Sequence, residues 1–235
     1  VLRQFYQERD VVLEERRMRF ENDPSGKLYE KLLNTSYTTH KYRNPVIGSV
    51  EDITNLTATK LEEFRKKYYV PSNIAIGLVG DIDDSDIKTI TKYFGRIPSG
   101  VRPERNFVAE PEQTEERSVK VDFTTSPQIM IGYHKPAYPD PFDPAITILE
   151  ELLAGGRTSL MYKELVVNKK LVSSIGVQEA PGFQYPNLFV FAIIPKLPHS
   201  NDEVVKAFDK VINEKMAEFI TDERIDIIKK QIAVR

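Results

Sequence analysis

The chain has 235 residues, of which 40% are hydrophobic and 29% charged, the composition of an ordinary globular protein with room for one domain or two. Its 33 basic and 35 acidic residues give a net charge of −2, without the basic excess typical of proteins that bind nucleic acid or an anionic membrane. No apolar run is long enough for a membrane span. Cysteine is absent, which excludes disulfides, a thiol nucleophile and a cysteine-based zinc site.

Helical spacing and turn residues predict that the first hundred residues are mostly helical. Residues 2–20 place apolar side chains at helical intervals without glycine or proline, and the turn residues 22–26 end this helix. Thr54 or Thr57 is predicted to cap a later helix. The further predicted elements are helices over 27–34, 56–69 and 86–95 and an apolar strand over 73–79.

Two polar groups resemble ligand sites but have simpler explanations. The sequence Asp81-x-Asp83-x-Ser85 lacks the glycine and the closing glutamate of a calcium loop, so these side chains are predicted to cap the helix that follows. His40 lies in a polar loop, where a structural hydrogen bond is expected rather than a catalytic role.

Residues 101–117 are rich in proline and glutamate and poor in apolar side chains, which predicts a linker between one domain at 1–100 and another at 118–235. Beyond the linker, alternation and apolar runs predict strands over 118–123, 128–135, 171–180 and 187–195. Helices are predicted over 141–154, 159–170, 201–220 and 222–234. Helices that alternate with pairs of strands predict an α+β protein with layered sheets.

The first and last predicted helices carry a similar pattern. Residues 8–15 (ERDVVLEE) can be aligned with residues 223–230 (ERIDIIKK), because both carry Glu-Arg, then an aliphatic residue, then a charge seven residues after the glutamate. The match is short, but it places the same point of a repeat near both ends of the chain. This arrangement is expected for a segment of a protein that has two similar domains.

Glu8 and Glu15 lie seven residues apart, about two helical turns, so they share one face of the first helix with Val12 between them. One interpretation is a solvated face that ion pairs with neighbouring arginines stabilise. The other is a metal ligand with a supporting carboxylate. Spacing alone favours the solvated face, because charged helix faces are common.

Four stretches occur in order along nearly the whole chain: QERDVVLEERRMRFENDPSGKLYEKL, HKYRNPVIGSVEDITNLT, YYVPSNIAIGLVGDID and LLAGGRTSLMYKEL. Together they resemble the insulinase/pitrilysin-type (M16) zinc metallopeptidases, and most of all the short bacterial members related to the mitochondrial processing peptidases. The resemblance implies two related layered domains, each an antiparallel or mixed sheet packed with helices, and both incomplete in this chain.

The resemblance also assigns roles to the two glutamates. In that family zinc is held by an inverted H-x-x-E-H helix and by a distal glutamate, which follows a second glutamate by seven residues in an E-R-x-x-V-x-x-E pattern. Glu15 thus matches the distal zinc ligand, and Glu8 matches a carboxylate that supports the zinc ligands and the catalysis. Zn²⁺ accepts histidine and carboxylate donors and keeps one position for a water molecule. The implied activity is that of a zinc endopeptidase acting on unfolded or extended peptides.

The sequence departs from the family pattern at the other zinc ligands. It contains no H-x-x-E-H, so the two histidines and the general-base glutamate would lie upstream, and the chain is expected to be an internal fragment that is inactive alone. In the second half, Thr147, Glu150 and Glu151 fall where the first domain has H-x-x-E-H, and Lys230 falls where it has the distal glutamate.

A second departure concerns substrate binding. Active single-chain members carry an arginine and a tyrosine, seven residues apart in the second domain, and here Val166 and Ser173 occupy those positions. The family includes heterodimers in which one subunit brings zinc and the other brings this pair, so the parent protein is expected to be the zinc-bearing subunit of such a pair. The alternative is a zinc-less structural or substrate-binding subunit. The sequence is compatible with both the bacterial cytoplasm and the periplasm.

Overall fold

A computed structural model describes residues 4–104 and 106–234. Within these residues the chain divides into two compact units: the first runs to Glu15 and resumes over Ile47–Val108, and the second combines Arg16–Val46 with the chain from Ala109 onward. The chain passes between the units after Glu15, after Val46 and after Val108, and only the last of these points lies inside the segment predicted as a linker. The domain limits given above remain predictions. No helix in the described ranges combines the length and the apolarity needed to cross a membrane.

Two helices of the first unit begin at capping residues that the sequence indicates. Thr57 accepts a hydrogen bond from the amide of Lys60, and Asp83 caps its helix reciprocally with Asp86, as predicted for a structural cap. The helices are α1 (Phe5–Arg16, which enters the second unit at its last residue), α3 (Val50–Thr54), α4 (Ala58–Tyr68) and α5 (Asp84–Phe94).

The predicted strand over 73–79 is wrong for the described structure. Pro71–Asn73 form a short 3₁₀ turn, and residues 74–79 belong to none of the paired strands in the described ranges. Ile74, Ile76 and Leu78, spaced two residues apart, are each about half exposed, at 50%, 49% and 48%. An apolar sequence favours an extended backbone, but a strand exists only where a second strand completes its hydrogen bonds. The strand predicted over 118–123 is wrong for the same reason.

The second unit is built on a three-stranded antiparallel sheet in the order β1-β3-β2. The strands β1 (Ile129–Lys135), β2 (Val172–Ala180) and β3 (Asn187–Pro195) confirm the other three predicted strands. In the register of this sheet, Gly132 of β1 pairs with Val190 of β3, and Ala192 of β3 pairs with Gly176 of β2.

Helices cover both faces of the central strand β3. Its odd-numbered residues, including Phe191, pack with Leu165 and Phe208, whereas Leu188 and Val190 pack with Leu33 and its neighbours. Alternate side chains of a strand point to opposite faces, so burial on both sides makes β3 a nearly continuous apolar run. The covering helices are α2 (Pro24–Ser36), α6 (Asp143–Ala154), the π-helical Tyr162–Asn168 and α7 (Asn201–Phe219), and α8 (Asp222–Val234) packs against α6. The predicted α+β class is confirmed.

Candidate metal centre

Helix α1 carries both glutamates that the sequence singles out. Seven residues span nearly two turns, so Glu8 and Glu15 point to within about 20° of the same direction around the helix axis. Glu8 is exposed and Glu15 is partly buried. The structure thus places the two carboxylates on one face of one element, as the spacing predicts, and their assignment to zinc stays a prediction.

Arg9, the residue after Glu8, joins α1 to the helix that follows in the same unit. Its Nη1 donates a 3.0 Å hydrogen bond to the carbonyl oxygen of Thr54, the last residue of α3. Its guanidinium lies 5.2 Å from the ring centre of Tyr6, and its Nη2 lies 3.7 Å from Oδ1 of Asp10. The side chain is only 23% exposed, and Nε is buried without a hydrogen-bond partner among the described residues.

The donors available on α1 suit one position of a zinc site. A carboxylate oxygen is a normal zinc ligand, and a catalytic zinc takes three protein ligands and a water molecule. Within residues 4–104 and 106–234, no group of three or more histidine, cysteine, aspartate or glutamate side chains could hold a metal ion. The described residues therefore do not form a complete site, and Glu15 as the one ligand that they would supply stays a prediction.

In the second unit, helix α6 carries Thr147, Glu150 and Glu151, which the predicted repeat aligns with H-x-x-E-H. Thr147 donates its hydroxyl to the carbonyl oxygen of Asp143, 3.0 Å away, as a residue of the helix itself. Glu150 has a buried Oε1 that has no hydrogen-bond partner in the described part of the chain. Burial, and secondarily repulsion from Glu179, raises the pKa of Glu150 to about 7. No residue at these positions is a histidine.

Lys135 and Glu179 form an ion pair close enough to Glu150 to influence its charge. Lys135 ends β1 with its side chain only 7% exposed, and Glu179 lies near the end of β2. The attraction of Lys135 partly opposes the rise in the pKa of Glu150. Sequence reasoning missed this cluster, because its members come from three elements whose contact depends on the packing of α6 on the sheet.

Lys230, which the predicted repeat aligns with the distal glutamate, lines an open groove of about 550 Å³ beside the end of α6. The groove is also lined by Gly155, Gly156, Arg157, Thr158, Gln231 and Val234. Helices α6 and α8 pack against each other, so the structure brings the two counterpart segments of the second unit together. An ammonium group cannot ligate zinc and repels a cation, so this groove lacks the donors of the family's zinc site.

Val166 and Ser173 occupy structural positions in the second unit. Val166 is partly buried against the core in the π-helical segment. Ser173 lies at an irregular pairing near the start of β2, where its hydroxyl donates to the carbonyl oxygen of Ile194 at 3.0 Å. Neither side chain can form the ion pairs and ring contacts that an arginine and a tyrosine would offer to a peptide.

The loop after α2 holds a carboxylate that sequence reasoning also missed. Glu110 accepts hydrogen bonds from the amides of Thr38, Thr39 and His40 at 2.7 to 2.9 Å, and from the hydroxyl of Thr38. Burial alone would raise the pKa of Glu110, but these donors hold it at about 2. The Nδ1 atom of His40 accepts from the amide of Tyr42 at 3.1 Å, which confirms the structural hydrogen bond expected of this histidine.

Comparison with known proteins identifies the family. The family described as the Peptidase M16 inactive domain matches residues 55–232. The zinc protease PqqE of Helicobacter pylori is 33% identical over 175 residues, which are 72% of this chain and 39% of that protein. The uncharacterized zinc protease YmxG of Bacillus subtilis is 24% identical over 174 residues, 72% of this chain and 40% of that protein.

A solved structure gives the same assignment. The crystal structure of a protease from Helicobacter pylori is similar with a TM-score of 0.87 and 28% identity, and the match covers 98% of this chain and 58% of that chain. The chain spans about two-fifths of the length of the two curated relatives, both of which are named zinc proteases. With the α+β fold and the ordered sequence stretches, these matches show that the chain belongs to the M16 peptidase family.

Proposed function

We propose that this chain is part of a zinc-dependent endopeptidase that acts on unfolded or extended peptides, and that Glu15 supplies one zinc ligand. The observation that carries the proposal is the pair of carboxylates on one face of α1, in a chain of the M16 family whose relatives are named zinc proteases. In this proposal Glu8, which lies on the same helix face as Glu15, orients the ligand side chains. Such supporting carboxylates change metal affinity or activity by about 10- to 100-fold when removed.

In this proposal the two glutamates have separate roles at the metal. Zinc, when bound, polarises a peptide carbonyl and lowers the pKa of a water molecule. Glu15 holds the metal, and Glu8 holds the ligand array in place. Since the described residues offer a single candidate ligand and no complete site, the chain by itself is expected to be inactive. Cleavage of an unstructured peptide by the isolated chain, if a chelator blocked it, would contradict this expectation.

The test of the zinc role uses the full-length parent protein. Glu15→Gln is expected to abolish stoichiometric zinc and peptide cleavage, because an amide is a poor zinc ligand, and Glu8→Gln to weaken zinc binding by about 10- to 100-fold. Glu14→Gln, one position away on the same helix, is the matched control and should behave as the wild type. Zinc content by mass spectrometry and peptide cleavage are measured together. Unchanged zinc in Glu15→Gln would refute the proposal.

The parent is further proposed to be the zinc-bearing subunit of a heterodimer, in which a second M16-type subunit brings the arginine and tyrosine. Support comes from Val166 and Ser173, which are engaged in core packing and in a backbone hydrogen bond. The full-length parent is expected to cleave peptides only when the second subunit is added. Strong activity of the purified parent alone would exclude this arrangement.

A zinc-less structural or substrate-binding subunit is the second candidate. Two observations favour it. Most of the chain matches a domain described as inactive. The groove beside the end of α6 presents Lys230 where a zinc site would need a carboxylate. The two candidates differ in one measurable property. A parent protein that carries H-x-x-E-H and copurifies with one zinc per chain is the enzyme, and a parent without either is the structural subunit.

A further inference from the structure

We propose that Arg9 is a positioning residue that fixes the rotation of helix α1 about its axis, and thereby the direction in which Glu8 and Glu15 point. This inference rests on the proposed function, because it concerns the accuracy with which Glu15 reaches a metal. It adds a residue that makes no contact with zinc and that lies on a different face of the helix from both glutamates.

The anchor is directional. Arg9 donates from Nη1 to the carbonyl oxygen of Thr54 at 3.0 Å, and Thr54 is the last residue of α3. Carbonyl groups in the last turn of a helix attract cations, because the helix leaves them without internal donors and adds the negative end of its dipole. Arg9 therefore binds a fixed point of the same unit, 45 residues further along the chain.

A buried residue lies near Arg9 on the same face, close to the start of the helix. Phe5 lies four residues before Arg9 and is buried, with 5% exposure. Residues four apart lie above one another on a helix surface. Phe5 and Arg9 together thus define the anchored face of α1, with Phe5 giving apolar packing and Arg9 giving the polar contact that resists rotation.

The geometry of the helix transmits this anchor to both carboxylates. At about 100° per residue, Glu8 and Glu15 lie about 100° and 120° around the axis from Arg9, on the same side. A rotation of 10° would move a group at the helix surface, about 5–6 Å from the axis, by about 1 Å. Metal ligands need to be held within about 0.5 Å, so a loosely rotating helix would not place Glu15 well enough.

The environment of Arg9 distinguishes it from a residue that only fills space. Its Nε is buried without a partner among the described residues, which is unfavourable for a charged group. An aliphatic side chain would pack there without that cost. The hydrogen bond to Thr54 and the ring of Tyr6, 5.2 Å away, offset it. A directional function at this position accounts for an arginine, whose planar fork fixes direction better than a flexible ammonium.

The experiment measures zinc affinity and helix mobility in the full-length parent. Arg9→Gln, Arg9→Lys and Glu15→Gln are compared with Arg65→Gln, a control on α4 in which the replaced arginine is exposed and donates to Glu62. Zinc affinity is read by competition with a chromogenic chelator, with zinc alone as the probe. Hydrogen exchange of residues 5–15 is followed in the zinc-free protein, and thermal unfolding monitors the fold.

Arg9→Gln is expected to weaken zinc binding by about 10- to 100-fold, as for other groups that orient a ligand, and to speed exchange over 5–15 without a large change in the unfolding temperature. Arg9→Lys, which keeps one donor, should recover part of the affinity.

Wild-type zinc affinity in a folded Arg9→Gln variant, together with loss of zinc binding in Glu15→Gln, would overturn the inference and leave the proposed function standing. Wild-type affinity in Glu15→Gln would overturn both. If Arg9→Gln does not fold, Arg9→Lys decides: weaker binding at an unchanged unfolding temperature supports the inference, and wild-type binding overturns it.

Discussion

Glu150 makes the stability of the second unit depend on pH near neutrality. Its ordinary pKa of 4.5 rises to about 7 in the folded chain because of burial and of the nearby Glu179. The folded state therefore holds a proton that the unfolded state releases above pH 4.5. The free energy of unfolding should fall as the pH rises from about 4.5 to about 7 and stay low above that.

A substitution tests this dependence. Glu150→Gln removes the ionisation, so the variant should lose the fall in stability between pH 5 and 7. It should be more stable than the wild type at pH 8 by on the order of 1 kcal/mol, a value that allows for solvent screening of a half-buried group. Urea unfolding at several pH values measures both effects. The control is Glu218→Gln, an exposed residue of α7, and an unchanged pH profile in Glu150→Gln would contradict the assignment.

At the scale of elements, Glu110 fixes the segment in which the chain returns to the second unit after Val108. Because the N–H groups of 38–40 and one hydroxyl hold its carboxylate at a pKa of about 2, the contact persists at any pH above about 4 and weakens only as the pH falls toward 2. Arg117 adds a second attachment by donating to the carbonyl oxygen of Thr35 at 3.2 Å. This stretch, predicted as part of a linker, is tethered at both of these residues.

Glu110→Gln should release the tether, because its amide group turns two donors toward a loop that already presents N–H groups. The expected loss of stability is on the order of 1 kcal/mol, because His40 is the one buried residue among these donors and water can reach the amides of Thr38 and Thr39. Limited proteolysis should cut residues 109–117 faster in this variant. Glu112→Gln, exposed in the same segment, should keep the wild-type cleavage rate, and equal rates in the two variants would argue against the tether.

Elements set by local sequence could be predicted, and those set by distant partners could not. The caps at Thr57 and Asp83 depend on residues three positions away, and β1 to β3 carry strong apolar patterns. Residues 73–79 carry a similar pattern, but pairing needs a second strand that the described chain does not place beside them. The face shared by Glu8 and Glu15 followed from helix geometry alone. The bonds of Glu110 and Arg9 span 70 and 45 residues, beyond the reach of any local pattern.

For the molecule as a whole, the first unit exposes several large apolar side chains. Val79 is fully exposed, and Ile76, Ile87 and Phe94 are each about half exposed. Exposed apolar patches promote association. The isolated chain is expected to bind a hydrophobic dye and to show concentration-dependent light scattering.

Two substitutions separate surface from core effects. Ile76→Thr with Val79→Ser should lower dye binding and scattering while changing the free energy of unfolding by no more than about 0.5 kcal/mol, because exposed side chains contribute little to stability. Val190→Ala, at a fully buried position of β3, is the contrasting control and should cost on the order of 2 kcal/mol. Dye binding that stays unchanged in the double variant would show that these side chains are not the exposed surface that matters.

The central strand β3 has a further consequence for how this domain tolerates change. Because Leu188 and Val190 serve one apolar layer and Phe189 and Phe191 serve the other, neighbouring positions share no solvent-facing side. A deep mutational scan should therefore show an uninterrupted block of intolerance over Leu188–Phe191 of β3, whereas β2, with Ser173, Ser174, Gln178 and Glu179 exposed, should show tolerant positions. A single charge introduced anywhere in that block would disrupt the apolar layer that it enters. Substitutions in this one short stretch can therefore destabilise either layer.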